Sequence, residues 1–110
     1  MKMITILIDP DIEDAMRTAM VDAGVDAMAC TQYKGFGSHI RKKKRLYRGA
    51  EYNIYFAKRL KVEVIVTDTK VKKVIDTVKE LFNQVKEDED INGFNIYVTE
   101  VEKQLILKAF

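Results

Sequence analysis

The sequence is short of nearly everything that would mark a secreted, metal-dependent or membrane-spanning protein. It has one cysteine among 110 residues, Cys30, so no internal disulfide is possible and a reducing compartment is expected. It has one histidine, His39, and a single imidazole with no cysteine or second histidine beside it is a poor metal site. No metal is expected. The longest apolar runs fall far short of the 18 residues a membrane span needs, and the opening Met1–Ile8 is too short for the apolar core of a signal peptide. The expected setting is cytoplasmic. No nucleophile–base pair or paired carboxylates in a glycine-defined site stand out, so the chain does not read as an enzyme.

What is present suits one globular domain over residues 1–110. Hydrophobic residues make up 47% and charged residues 33%. The net charge of +2 hides an uneven distribution. Arg41, Lys42, Lys43, Lys44, Arg45 and Arg48 crowd one window, leaving 13 basic against 17 acidic residues elsewhere. The counterpart is the run Glu87-Asp88-Glu89-Asp90.

Periodicity predicts the elements. Ile4, Ile6 and Ile8 mark a first strand ending at Asp9-Pro10. Asp9 or Asp11 is placed to cap a helix carrying Ile12, Met16, Ala19 and Met20 on one stripe, with Gly24 as its stop. A second strand is predicted from Asp26 to Tyr33, with Cys30 a small core residue inside it. A third runs from Asn53 to Thr67, clearest in Val62, Val64 and Val66. Thr67 or Asp68 caps a helix whose apolar stripe is Val71, Val74, Ile75, Val78, Leu81, Phe82 and Val85. After the acidic loop, Phe94, Ile96 and Val98 alternate in a last strand, and Leu105-Ile106-Leu107 extends the chain beyond it.

The order β-α-β-β-α-β gives an α+β, ferredoxin-like fold: a four-stranded antiparallel sheet with both helices on one face. The first strand is apolar on both faces, with Met3 and Leu7 opposite the isoleucines, and Tyr97 is out of phase with Ile96. Two helices cover one face only, so a symmetric homo-oligomer is expected to cover the other.

Between strands two and three, Lys34 to Tyr52 shows no regular pattern, and Ser38 to Arg45 shows no apolar face. Loops of this length in compact domains are functional or disordered, so the segment is expected to be mobile until a ligand or partner orders it. At its base, Lys34-Gly35-Phe36-Gly37 allows tight turning and close approach of backbone N–H groups to a phosphate.

Lys34-Gly35-Phe36-Gly37 followed by Leu46-Tyr47-Arg48-Gly49-Ala50-Glu51-Tyr52 resembles the signature of the PII nitrogen-regulatory signalling proteins. Met1-Lys2, Pro10, Gly24 and Lys61-Val62-Glu63-Val64 fall in step with it, and the resemblance runs from Met1 to about Phe82. It implies a homotrimer that binds ATP or ADP, often with 2-oxoglutarate, in clefts between subunits. It also implies that the long loop, about 37–53 and called the T-loop, docks onto a target enzyme, transporter or regulator. By position Gly35, Phe36 and Gly37 match residues near the nucleotide phosphates and Ile65 an adenine contact. Arg59 stands for the lysine that contacts 2-oxoglutarate, and Tyr52 for a tyrosine that some relatives expose for uridylylation. Arg41, Lys42, Lys43, Lys44, Arg45, Tyr47 and Arg48 would face the partner.

The chain departs from that pattern where the family grips phosphate. The family's glycine-rich T-G-x-x-G-D-G-K loop should lie near Asn83 to Asn95, where this sequence keeps only Gly93 and adds four carboxylates. Carboxylates beside a triphosphate repel it unless a metal intervenes. The family's magnesium-holding glutamine is replaced in the stretch Ser38-His39-Ile40, and no arginine follows Arg59. The effector is therefore expected to be a small anion, with ATP, ADP or AMP as candidates and no cofactor required. Two alternatives stand beside this reading: a P-II-like scaffold without nucleotide, and a nucleic-acid-binding module using residues 41–48. The latter rests on Lys34-Gly35-Phe36-Gly37 matching the first four positions of an RNA-recognition pattern. That match breaks at Ser38 and His39, falls on the wrong strand, and lacks a stacking aromatic on the first strand.

Overall fold

The computed structural model describes residues 1–40, 45–47, 50–52 and 56–110, with the two short segments described by backbone alone. Arg41, Lys42, Lys43, Lys44 and Arg48 lie outside the described residues.

The main sheet is built from β1 (Lys2–Ile8), β2 (Ala29–Gly35), β5 (Ala57–Val66) and β6 (Asn95–Glu100), in the antiparallel order β2-β5-β1-β6. Helices α1 (Glu13–Asp22) and α2 (Val71–Val85) cover one face. This is the ferredoxin-like βαββαβ arrangement that the order of elements predicts. A separate two-stranded hairpin, β3 (Arg45–Tyr47) with β4 (Ala50–Tyr52), lies within the long connection between β2 and β5.

Strand alternation creates the core. Ile4, Ile6 and Ile8 on β1 meet Val64, Val62 and Leu60 across the ladder, and all are essentially fully buried. Met16 and Met20 of α1 and Val74, Val78 and Leu81 of α2 close over them. Spacings of three and four residues keep each helical set on one face. On the other face of the sheet Thr5 is buried, Met3 and Leu7 are half-buried, and Ile65 and Tyr97 are 37% and 44% exposed.

Both helices begin differently from expectation. Each is entered through one turn of 3₁₀ helix, Pro10–Ile12 and Asp68–Lys70, and neither turn nor helix has a side-chain cap. Three of the four candidate capping groups are engaged elsewhere. The Thr67 hydroxyl meets that of Thr69, the Asp68 carboxylate pairs with the Met1 amino group at 3.0 Å, and Asp9 turns into the interior. That ammonium holds the Asp68 carboxyl below its ordinary range. Gly24 does end α1 as predicted: it takes φ +80°, a conformation side chains with a Cβ resist.

Three boundaries shift. β2 begins at Ala29 rather than Asp26 and runs on through Lys34-Gly35, because β5 continues the ladder to the rung Gly35↔Ala57. The predicted start of the third strand at Asn53 lies outside the described residues, and β5 begins at Ala57. Leu105, Ile106 and Leu107 extend the chain past β6 without joining the sheet.

Cys30 is not a core residue. It is exposed, on the edge strand β2. The described part of the long connection contains two features its composition does not suggest. Besides the β3–β4 hairpin, Ile40 is 5% exposed, so Ser38 to Arg45 does contain one buried apolar anchor.

Truncating Ile6 to alanine at the centre of β1 is expected to cost about 2–5 kcal/mol in chemical denaturation, the range for a buried isoleucine that leaves a cavity. Partial desolvation, followed by the neighbouring Glu13 carboxylate, raises the Cys30 pKa above its ordinary value. Despite its exposure the thiol should therefore alkylate with iodoacetamide more slowly than free cysteine at pH 8, and faster in Glu13→Gln.

Candidate functional site

The residues that matter converge where β1 ends, β5 begins and the loop after α2 returns to the sheet. The centre is Arg59, with none of its surface exposed. Taking a guanidinium out of water is costly, and the structure meets that cost with three hydrogen bonds. Nη1 donates to Asp9 Oδ1 at 2.8 Å. Nη2 donates to the backbone oxygens of Leu7 at 3.0 Å and Gly93 at 2.9 Å.

Asp9 is itself 6% exposed and fully employed. Its Oδ2 accepts the Asn92 backbone N–H, and its Oδ1 accepts from the Asn92 side-chain amide, both at 2.7 Å. The sequence placed this aspartate at a helix N-cap. In the structure it is the counter-ion of Arg59 and a clamp on the loop after α2. A buried arginine 50 residues away in sequence outcompetes the local amides, because a charge-assisted pair is stronger where water is excluded.

Gly93 carries the network one step further. Its N–H donates to the His39 carbonyl at 2.7 Å, while its own carbonyl holds Arg59. A Cβ at position 93 would sit 3.1 Å from that same His39 oxygen, so the approach suits glycine. Upstream, the Ile40 N–H closes a turn onto the Gly37 carbonyl at 3.1 Å. The root of the long connection is thus tied through His39 and Gly93 to Arg59, and through Arg59 to β1.

Of the residues singled out in the sequence, Gly35, Phe36, Gly37, Arg59 and Gly93 gather at this end of the sheet. Phe36 packs edge to face on Phe56, with ring centres 4.9 Å apart and both rings more than half exposed. His39 is half-buried, its imidazole against Gly37. Ile65 is not part of the gathering. It lies six residues from Arg59 along β5, about 20 Å at the rise of an extended strand. Arg45 and Tyr47 on β3 and Tyr52 on β4 are placed by backbone only. The four carboxylates Glu87 to Asp90 are exposed, in a turn where Asp88 accepts the Asp90 N–H.

Asp9, Asn92 and Ile40 were not recognised as site residues from the sequence. The available signal was the acid ending an otherwise apolar strand directly before Pro10, with Arg59 following at the head of another apolar strand.

A βαββαβ sheet that ties the root of a long connection to its own interior is a scaffold that holds out a loop. Comparison with known proteins agrees: residues 1–108 match the family model for nitrogen regulatory protein P-II. The chain is 33% identical over 109 residues to nitrogen regulatory protein P-II of Pasteurella multocida, spanning 99% of this chain and 93% of that protein. It is 31% identical, over the same shares, to nitrogen regulatory protein GlnK of Escherichia coli K12. Against nitrogen regulatory protein P-II of Klebsiella oxytoca it is 40% identical over 78 residues, covering 71% of this chain and 69% of that protein. The chain belongs to the P-II family of regulatory proteins. Among the described residues no helix is long and apolar enough to cross a membrane.

Replacing Arg59 with methionine leaves Asp9 buried without its counter-charge and should cost about 3–5 kcal/mol in chemical denaturation. Adding Asp9→Leu to Arg59→Met should recover part of that loss, so the double-mutant cycle gives a coupling well above zero.

Proposed function

We propose that the chain acts as one P-II-type domain over residues 1–110 and assembles as a homotrimer. In this reading it senses a small anionic effector in the clefts between copies and regulates a target protein through the connection 37–53. The observation that carries the reading is the hydrogen-bonded path from His39 through Gly93 to Arg59, which joins the root of that connection to the sheet. A ligand settling against Gly35, Phe36, Gly37 and Gly93 would bias that path, and with it the loop beyond.

Assembly is supported by the sheet's second face, where Ile65 and Tyr97 are exposed beside half-buried Met3 and Leu7. It is supported too by Ile65 lying so far from Gly35 in one chain, since a second copy must bring it to a shared cleft. Adenine nucleotides, ATP, ADP or AMP, are the proposed effectors. Arg59 is already engaged by Asp9, so it is not free to hold the carboxylate of 2-oxoglutarate. The target is an enzyme, transporter or regulator in the cytoplasm, met through Arg41, Lys42, Lys43, Lys44, Arg45, Tyr47 and Arg48, with Tyr52 open to modification by a separate enzyme.

Titration calorimetry on the full chain tests this. At least one of ATP, ADP and AMP should give saturable heat, 2-oxoglutarate alone should give none, and sedimentation should report three times the chain mass of 12.7 kDa. A trimer that gives no heat with any nucleotide would leave a scaffold without an effector, and a monomer would remove the cleft altogether.

A further inference from the structure

Lys34 and Lys58 stand directly opposite each other in the β2–β5 ladder. Like charges in directly opposed positions destabilise an antiparallel pair. Among the described residues neither ammonium is paired with a carboxylate: Glu63 goes to Lys61, and Asp9 to Arg59. The rung borders an open pocket of about 370 Å³, walled by Pro10, Gln32, Tyr33, Lys34, Lys58 and Arg59. Among the described residues no acidic side chain lines it.

We propose that this pocket is an oxyanion site, taking a phosphate or carboxylate group between the Lys34 and Lys58 ammonium groups, with the Gln32 amide as a further donor. One anion converts a repulsive rung into two charge-assisted contacts. The rung lies one step before Gly35↔Ala57, the last of the ladder, so an occupied pocket draws together the two strands from which the long connection leaves. The site is complete within one chain. It goes beyond the cleft between copies proposed above and does not depend on it.

The test is an NMR titration of the full chain with inorganic phosphate and, in parallel, with succinate, each against sodium chloride at matched ionic strength, since exposed charges are screened by salt. Saturable shifts are expected at the amides of Gln32, Tyr33, Lys34, Lys58 and Arg59. Binding should weaken by about tenfold or more in the Lys34→Gln/Lys58→Gln variant, which removes both charged partners. Saturation by phosphate alone identifies a phosphoryl ligand, and saturation by both identifies oxyanions in general. The proposal is overturned if neither ligand saturates these amides, or if the double variant titrates as the parent does. Nucleotide heat measured on the same variant reports the inter-copy cleft separately, because Gly35, Phe36, Gly37 and Gly93 are unchanged in it.

Discussion

A guanidinium with no exposed surface is the constraint around which this end of the molecule is arranged. Removing such a group from water costs several kcal/mol even after relaxation, and the cost is offset only where the geometry is good and the protons find acceptors. Arg59 finds the Asp9 carboxylate and the carbonyls of Leu7 and Gly93. Each acceptor belongs to a different part of the chain: the turn after β1, the last rungs of β1 itself, and the loop that follows α2. One side chain therefore ties three segments together, alongside the apolar packing of Ile91 and Phe94 on the core. Asp9 extends the clamp through Asn92, and Gly93 extends it to His39.

The consequence for a P-II-family protein lies at the root of its long connection. Composition alone portrays this connection as a polar, basic arm with nothing to hold it. Yet Ile40 is buried, the turn from Gly37 to Ile40 is closed, and the His39 carbonyl is held by Gly93. The root is thus part of the rigid body, so a change in the body at Gly93 or Arg59 has a direct hydrogen-bonded route into the connection. The acidic turn at Glu87 to Asp90 lies a few residues before Asn92 and Gly93, which places its charge beside that route without making it a member.

Much of the fold is legible in the sequence because it is written in periodicity. The alternation of Ile4, Ile6 and Ile8 and the three-and-four spacing of Val74, Val78 and Leu81 state which faces are buried, and the order of elements then leaves few topologies. The family pattern also pointed to the KGFG segment and to Gly93, and the structure hydrogen-bonds Gly93 to His39, two residues beyond that segment. What was not legible depends on competition between distant partners. Asp9 is a good N-cap by local rules and becomes a buried counter-ion because Arg59 arrives from another strand. Cys30 has the type and the phase of a core residue, but β2 turns out to be an edge strand, and edge position is a property of the whole sheet. The β3–β4 hairpin lies in a stretch dominated by charge, where period-two alternation has too few residues to register.

The central claim is that the loop after α2 and the root of the long connection are held to the sheet by the buried Arg59 network. Native-state hydrogen exchange reads it directly at two amides, Asn92, which donates to Asp9, and Gly93, which donates to His39. The account predicts protection of both approaching that of the β1–β5 ladder, far above that of the neighbouring acidic turn. Exchange of Asn92 and Gly93 as fast as Glu87 to Asp90 would contradict it.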